Sequence, residues 1–406
     1  MTHLRTDNCM DEGSRYTRPG EIIPITKPTL PPLEDYQSRL KRLWETGQVT
    51  NGTLVRETET LLKDYIGSTD CIAMANCTTG LILALKALGL KGAVVVPSFT
   101  FFATAHSLIW NGLEPVFTDI DKHTWNLSPA SVKEVLEQRH DINAILGVHV
   151  FGNPCQVEEL EALAGEYGVK LLFDSAHALG SESNGKKVGT FGEVEVFSLS
   201  PTKPLVAAEG GVASTGSSEL AEVLRCGRDY GNVGDYDPGF VGLSARLSEL
   251  HAAMALGSLE MLETNIERRN NVVARYASAL GSISGIRFQR VGDNDRSTFK
   301  DFTLFIETSE FGMSRDALSW WLDRRNIDTR KYYSPPVHRT KAYWDRWGKR
   351  YDEALPVTNS VSQRVLSVPI WSHMETEVID RVCETIIEAN ASAEKIDSLY
   401  KKSTSQ

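Results

Sequence analysis

The sequence predicts an α/β fold, a mostly parallel sheet with helices on both faces, followed by a smaller C-terminal α+β domain. Between residues 77 and about 200, short β-rich runs alternate with helix-length segments, the pattern of strands joined by crossover helices. The run Val169-Lys170-Leu171-Leu172-Phe173 is apolar almost throughout, as a parallel strand buried on both faces is. Beyond Ser244 the alternation gives way to long helical spacing, which marks a change of architecture.

The elements follow in chain order. A polar arm over 1–20 leads into helix-like apolar spacing at 40–44 and 55–65, separated by the turn-rich stretch 47–52. Leu81, Leu85 and Leu88 mark one helix face. Strands are expected at 93–96, 115–118, 144–150, 170–173 and 194–198, with a helix at 157–166 among the connecting segments. A long helical stretch, 247–280, carries a polar patch at 265–271 and leads into the second domain. The expected division is an arm at 1–20, a large domain at 21–261, a small domain at 262–400 and a disordered tail at 401–406. No internal repeat is visible. A chain of 406 residues is long enough for two such cores.

Composition excludes several function classes. The net charge is -10, with acids and bases interspersed and no basic stripe, which argues against nucleic acid as a partner. The six cysteines, Cys9, Cys71, Cys77, Cys155, Cys226 and Cys383, are scattered without a C-x-x-C pair, so neither a metal site nor a disulfide frame is expected. The first sixteen residues lack the apolar core of a signal peptide, and no uncharged apolar stretch could span a bilayer. A cytoplasmic enzyme for small molecules, with no membrane partner, is the expectation. The Asn51-Gly52-Thr53 and Asn76-Cys77-Thr78 matches to a glycosylation acceptor are then coincidental.

The chemistry concentrates at strand ends. Asp174 follows the 169–173 strand at its carboxyl end, where open α/β sheets bind ligands, and His177 lies three residues on. The strand at 194–199 delivers Lys203 just beyond its end, and Glu209-Gly210-Gly211 follows. Asn76-Cys77-Thr78-Thr79-Gly80 opens the Leu81 helix, and such a helix start offers hydroxyls and unpaired amides to a phosphate. Pro97-Ser98-Phe99-Thr100-Phe101-Phe102-Ala103-Thr104 supplies rings that could stack on a planar ligand. Taken singly these are an ordinary N-cap, a helix cap, a core histidine, core aromatics and a solvated lysine. Together, a carboxylate to hold a pyridine nitrogen protonated and an amine to form a Schiff base, beside a phosphate-type helix start, are what pyridoxal phosphate requires of a protein.

These motifs resemble the DegT/StrS-type nucleotide-sugar aminotransferases, a family of fold type I pyridoxal-phosphate enzymes. The likeness runs from Ile23 through Tyr332-Tyr333-Ser334-Pro335-Pro336-Val337-His338 to Leu366-Ser367-Val368-Pro369. It implies that Lys203 carries the cofactor, Asp174 pairs with its ring nitrogen and His177 sits near its phenolic oxygen. It further implies that Phe101 stacks on the ring, that Thr78, Thr79 and Ser198 hold the phosphate, and that Tyr332 and His338 bind substrate. At the position where the family has an asparagine that reaches the neighbouring subunit's phosphate, this chain has Ser244, within Gly242-Leu243-Ser244-Ala245-Arg246-Leu247. Serine is shorter and lacks the amide donor, but it can bond directly or through water. A homodimer is the implied state.

The implied reaction takes the amino group of L-glutamate, held on the cofactor in its pyridoxamine form during turnover, to a nucleoside-diphosphate keto-sugar. Three segments, Gly147-Val148-His149-Val150-Phe151-Gly152-Asn153-Pro154, the 173–180 motif and Arg246-Leu247-Ser248-Glu249, resemble enzymes that aminate C4 of dTDP-4-keto-6-deoxyglucose. Enzymes acting at C3 more often carry P-G-K-N around the lysine, where this chain reads Pro201-Thr202-Lys203-Pro204. Amination at C3 remains the alternative. A pyridoxamine-dependent dehydratase of the same family replaces the lysine, which is present here, and the intact constellation also argues against a non-catalytic regulatory protein.

Overall fold

The computed structural model describes residues 21–404, so the arm expected at 1–20 and Cys9 lie outside the described residues. Helices α1 (Leu33–Thr46) and α2 (Thr53–Ile66) open the described chain. There follow β1 (Asp70–Met74), α3 (Cys77–Ala87), β2 (Ala93–Pro97), α4 (Phe102–Trp110), β3 (Glu114–Thr118), α5 (Pro129–Gln138), β4 (Ile142–Val148), α6 (Val157–Tyr167) and β5 (Lys170–Asp174). A short hairpin, β6 (Glu182–Ser183) and β7 (Lys186–Lys187), precedes β8 (Val194–Ser198) and β9 (Gly211–Thr215). The main sheet has seven strands in the order β1-β9-β8-β5-β4-β2-β3. From β3 to β8 all neighbours are parallel, whereas β9 runs antiparallel to both β8 and β1. The expected doubly covered parallel sheet is therefore present, with one strand reversed.

Strand periodicity explains the two helix layers. Leu171 and Phe173 of β5 point into a core shared with α5 and α6, while Leu172 between them joins the core of α3, α4 and α7 (Ser218–Gly227). Both faces are buried, which is why the run reads as continuously apolar.

The stretch expected as one helix over 247–280 is two, α8 (Glu249–Glu260) and α9 (Leu262–Leu280), broken at Met261. Glu249 at the start of α8 accepts the N–H groups of Gly52, Leu54 and Val55 at 2.8, 2.8 and 3.0 Å, so one buried carboxylate fastens α8 to the first turn of α2. The break lets α9 serve two cores. Leu262 and Ile266 belong to the large one, whereas Val272, Val273, Tyr276 and Leu280 belong to the small one.

The smaller C-terminal unit is a three-stranded antiparallel sheet, β10 (Ile286–Phe288), β11 (Phe302–Ile306) and β12 (Val365–Val368), in the order β10-β11-β12. Helices α10 (Arg315–Asp323), α11 (Pro356–Arg364), α12 (Thr376–Ala391) and α13 (Ala393–Thr404) accompany it. The cores do not follow the expected cuts at 21 and 262. Ile23 bridges Ile327 and packs in the small core, while Val337, Tyr343 and Leu355 return to the α3 and α4 side of the large one. The tail also differs: α13 continues through Lys401 to Thr404, with Lys401 paired to Asp397 at 2.6 Å one turn earlier and Tyr400 against the Trp320 ring. Among the described residues no helix is long and apolar enough to cross a membrane.

One close approach shapes the site end of this sheet. At Gly211, where β9 begins, a Cβ would lie 2.5 Å from the Asn76 carbonyl carbon and 2.6 Å from the Cys77 nitrogen, so only glycine lets the strand pass against the start of α3. Gly211→Ala is expected to destabilise the protein by about 1–3 kcal/mol. Gly216→Ala, where a Cβ meets nothing within 4 Å, is expected to stay within about 0.5 kcal/mol. Denaturant titration of the two variants checks this, and equal midpoints would contradict it.

Candidate active site

The start of α3 forms one end of a cavity of about 600 Å³. Asn76 caps the helix: its Oδ1 accepts the Thr79 N–H and its carbonyl accepts the Thr79 hydroxyl, each at 2.9 Å. Thr79 therefore lines the cavity with its donors already committed. The Thr78 hydroxyl remains, together with the amides of Cys77 and Thr78, which a helix start leaves without intrahelical partners. Ser198 at the end of β8 accepts the Ser200 N–H at 3.4 Å and keeps its own hydrogen to donate. Two hydroxyls, free amides and the helix dipole make this end fit for a phosphate dianion.

The opposite requirement governs Asp174. β5 delivers it 5% exposed, with the Thr104 hydroxyl donating to Oδ2 at 2.7 Å and the Ala176 N–H to Oδ1 at 3.2 Å. The Thr100 hydroxyl lies 2.8 Å from that of Thr104 and extends the chain of bonds. Burial pushes the carboxyl above its ordinary range, against the two protein donors and the nearby Lys203. A desolvated carboxylate so placed is completed by a cationic N–H from within the cavity. The Cys77 thiol, 3.8 Å from Oδ1, is pushed well above its usual range by burial and then by Asp174, so it is a neutral wall.

His177 is fixed by the turn Val150–Gly152. The Phe151 N–H donates to its Nδ1 at 3.2 Å, which assigns the ring proton to Nε2. Burial, then the charges of Lys203 and Lys300, hold this imidazole far below its usual range. His177 is thus a neutral N–H donor on the cavity wall.

Lys203 lies in the loop after β8, its N–H bonded to the Ser200 carbonyl at 3.0 Å. Burial, and next the Lys300 cation, lower its amine from 10.5 to about 7, although Asp301, Cys77 and Asp174 pull the other way. Lys300, Tyr332 and Tyr333 form the facing wall. Phe101 stands 45% exposed at the start of α4 and lines the same cavity.

The structure thus brings Thr78, Thr79, Phe101, Asp174, His177, Ser198, Lys203 and Tyr332 around one cavity. Ser244, expected at the neighbouring subunit's phosphate, is exposed and pairs with Asp229 outside this wall. One expected residue is elsewhere. His338, expected at substrate, is fully buried: Nδ1 lies 2.7 Å from the Ser98 hydroxyl and Nε2 lies 3.5 Å from Asp352, so it ties the 337–339 turn to the end of β2. Sequence reasoning passed over Thr104, although it stands in the quoted 97–104 motif, and over Lys300 and Asp301. The signal for these two was the polar patch in α9, because Arg269 there is buried and donates to the carbonyls of Phe299 and Lys300 at 3.1 and 3.3 Å.

The donor set, a phosphate-type cup, a buried carboxylate lacking a cation, an amine near neutrality and an imidazole N–H, fits pyridoxal phosphate. Residues 33–387 match the DegT/DnrJ/EryC1/StrS aminotransferase family. Over 367 residues the chain is 33% identical to a dTDP-4-amino-4,6-dideoxy-D-glucose transaminase of Shigella dysenteriae, covering 90% of this chain and 98% of the relative. It is 32% identical over 356 residues to a dTDP-3-amino-3,6-dideoxy-alpha-D-galactopyranose transaminase of Aneurinibacillus thermoaerophilus, covering 87% and 94%. The solved structure of DesI in the presence of its TDP-sugar product aligns with a TM-score of 0.88 at 32% identity, over 94% of this chain and 96% of that one.

The amine of Lys203 supplies a pH test. Between its native value of about 7 and the ordinary 10.5 the unfolded chain binds the extra proton, so this group makes the cofactor-free protein more stable as pH rises through that window. Uptake of pyridoxal phosphate at Lys203, followed by absorbance, is expected to become half-maximal near pH 7. An inflection at the ordinary lysine value would contradict the burial argument.

Proposed function

The chain belongs to the DegT/DnrJ/EryC1/StrS aminotransferase family, and from that premise we propose that it transfers the amino group of L-glutamate to C4 of dTDP-4-keto-6-deoxyglucose, giving dTDP-4-amino-4,6-dideoxyglucose. It is a pyridoxal-phosphate-dependent nucleotide-sugar aminotransferase. The observation that carries the choice of C4 is the 33% identity, over 98% of its length, with a relative named for the 4-amino sugar. The relative named for a 3-amino sugar, at 32%, supports amination at C3 as the second reading.

In this reading Thr78, Ser198 and the amides at the start of α3 hold the cofactor phosphate, with the Thr79 oxygen alongside. Phe101 flanks the ring. Asp174, kept in place by Thr104 and the Ala176 N–H, holds a proton on the pyridine nitrogen. His177 gives its Nε2–H to the phenolic oxygen. Bound pyridoxal phosphate supplies the carbonyl that accepts the amino group and the ring that withdraws charge from the carbon losing its proton. Lys203 is the residue that would carry the cofactor. Its uncharged Nζ would remove the proton from the α-carbon of glutamate and, in its protonated form, deliver one later to C4 of the sugar. A buried amine near pKa 7 can do both without a large proton-transfer penalty.

We also propose a homodimer in which Ser244 reaches the partner's phosphate. Beside that segment Val233, Tyr236 and Val241 are 61, 96 and 82% exposed, an apolar surface that a second copy would cover. The test combines two readouts on one preparation. Incubation with L-glutamate and a panel of 4-keto and 3-keto nucleotide sugars, with mass and carbon-13 analysis, is expected to yield nitrogen at C4. Light scattering is expected to give twice the chain mass of 45.0 kDa. Turnover of the 3-keto isomer alone would overturn the C4 choice, and an active monomer would overturn the dimer.

A further inference from the structure

Lys300, which lines the cavity, forms a buried ion pair with Asp301 next to it in the chain, their side chains 8 and 7% exposed and Nζ 3.0 and 2.9 Å from the two carboxylate oxygens. The ammonium lies 5.3 Å from the centroid of the Tyr332 ring, which also lines the cavity. The pair is held rigidly. The Lys300 N–H bonds the Phe151 carbonyl at 2.9 Å, in the turn that orients His177, and Arg269 donates to the Lys300 carbonyl. An ion pair buried at this depth is expensive unless its remaining donors and acceptors are used. The ammonium has a third N–H and the carboxylate has further lone pairs.

We propose that the Lys300–Asp301 pair, with the Tyr332 ring beside it, reads the sugar hydroxyl next to the carbon that receives nitrogen, and so selects between positional isomers of the keto-sugar. The proposal rests on the nucleotide-sugar reading of the same cavity. A hydroxyl both donates and accepts, so it can give its proton to Asp301 and take an N–H from Lys300 without parting the two. A carboxylate from the amino donor would meet a pair of zero net charge and would have to compete with Asp301 for the ammonium. The adjoining aromatic face suits the apolar face of a pyranose. Lys300 also lines the same cavity as Lys203 and His177, and its charge acts on both.

The test separates the two half-reactions of the holoenzyme by cofactor absorbance, using L-glutamate for one and dTDP-4-amino-4,6-dideoxyglucose, or its 3-deoxy analogue, for the other. The double variant Lys300→Met/Asp301→Asn removes both charges together, so none is left buried and unpaired. The expected loss is about 10- to 100-fold in kcat/KM for the sugar half-reaction, the scale of a hydrogen bond to a charged group. The glutamate half-reaction is expected to keep its rate within about threefold, because the opposite effects of Lys300 and Asp301 on the Lys203 amine are removed together. With the native enzyme the 3-deoxy analogue is expected to be poorer than its parent by a similar factor, and with the double variant the two should react nearly alike. Equal losses in both half-reactions, a loss confined to glutamate, or undiminished discrimination against the 3-deoxy analogue in the variant would each overturn the proposal. The native enzyme's response to the 4-amino sugar nucleotide tests the parent reading separately. If it answers instead to the 3-amino isomer, the deleted hydroxyl moves to C4 and the same comparison decides.

Discussion

A carboxylate at the end of a buried parallel strand loses most of its hydration, and at Asp174 the protein restores only part of what water supplied. Two strong donors reach it, the Thr104 hydroxyl and the Ala176 N–H, with the Cys77 thiol at 3.8 Å as a weak third, and burial still pushes its pKa upward. That deficit organises the site. It favours a cationic N–H in the cavity, between the start of α3 and the amine of Lys203. β5 is held between β4 and β8 in a sheet covered on both faces, so the carboxylate cannot withdraw toward solvent.

Other buried carboxylates in the chain show the contrast. Glu249 receives three backbone N–H groups. Glu195, fully buried beneath the site, accepts from the Ser175 hydroxyl, the Gly189 and Phe191 amides and His149 Nε2. Glu59 is paired with Arg228 and accepts the Ala73 N–H. These groups are satisfied by protein and hold elements together. Asp174 is held open for a ligand. The Glu195 network also steadies the site, because Ser175 is the next residue along and His149, its tautomer assigned by the Cys155 N–H at Nδ1, donates its N–H to Tthe same carboxylate from the end of β4.

The fold was legible because its signals are local: apolar runs, crossover helices and a change of period after residue 244. Asp174, His177 and Lys203 were legible for a related reason, since each follows a readable strand by a few residues. What the chain order concealed was assembly at long range. Lys300 and Asp301 carry no local signal of their own, and Arg269, buried in α9, together with the Phe151 carbonyl holds that loop against the cavity. The family resemblance put His338 at substrate, yet the turn at 337–339 directs it into the core against Ser98. The domain cut near 262 failed to show that α9 belongs to two cores, because helical periodicity reports an apolar face and not what covers it.

The claim on which the account turns is that the desolvated Asp174 keeps a proton on the nitrogen it faces. Nitrogen-15 NMR of the protein loaded with cofactor labelled at the pyridine nitrogen measures this directly. A protonated nitrogen is expected in the native protein, at pH values where the free cofactor has lost that proton, and a neutral one in Asp174→Asn. A neutral nitrogen in the native protein, or an unchanged protonated signal in the variant, would contradict it.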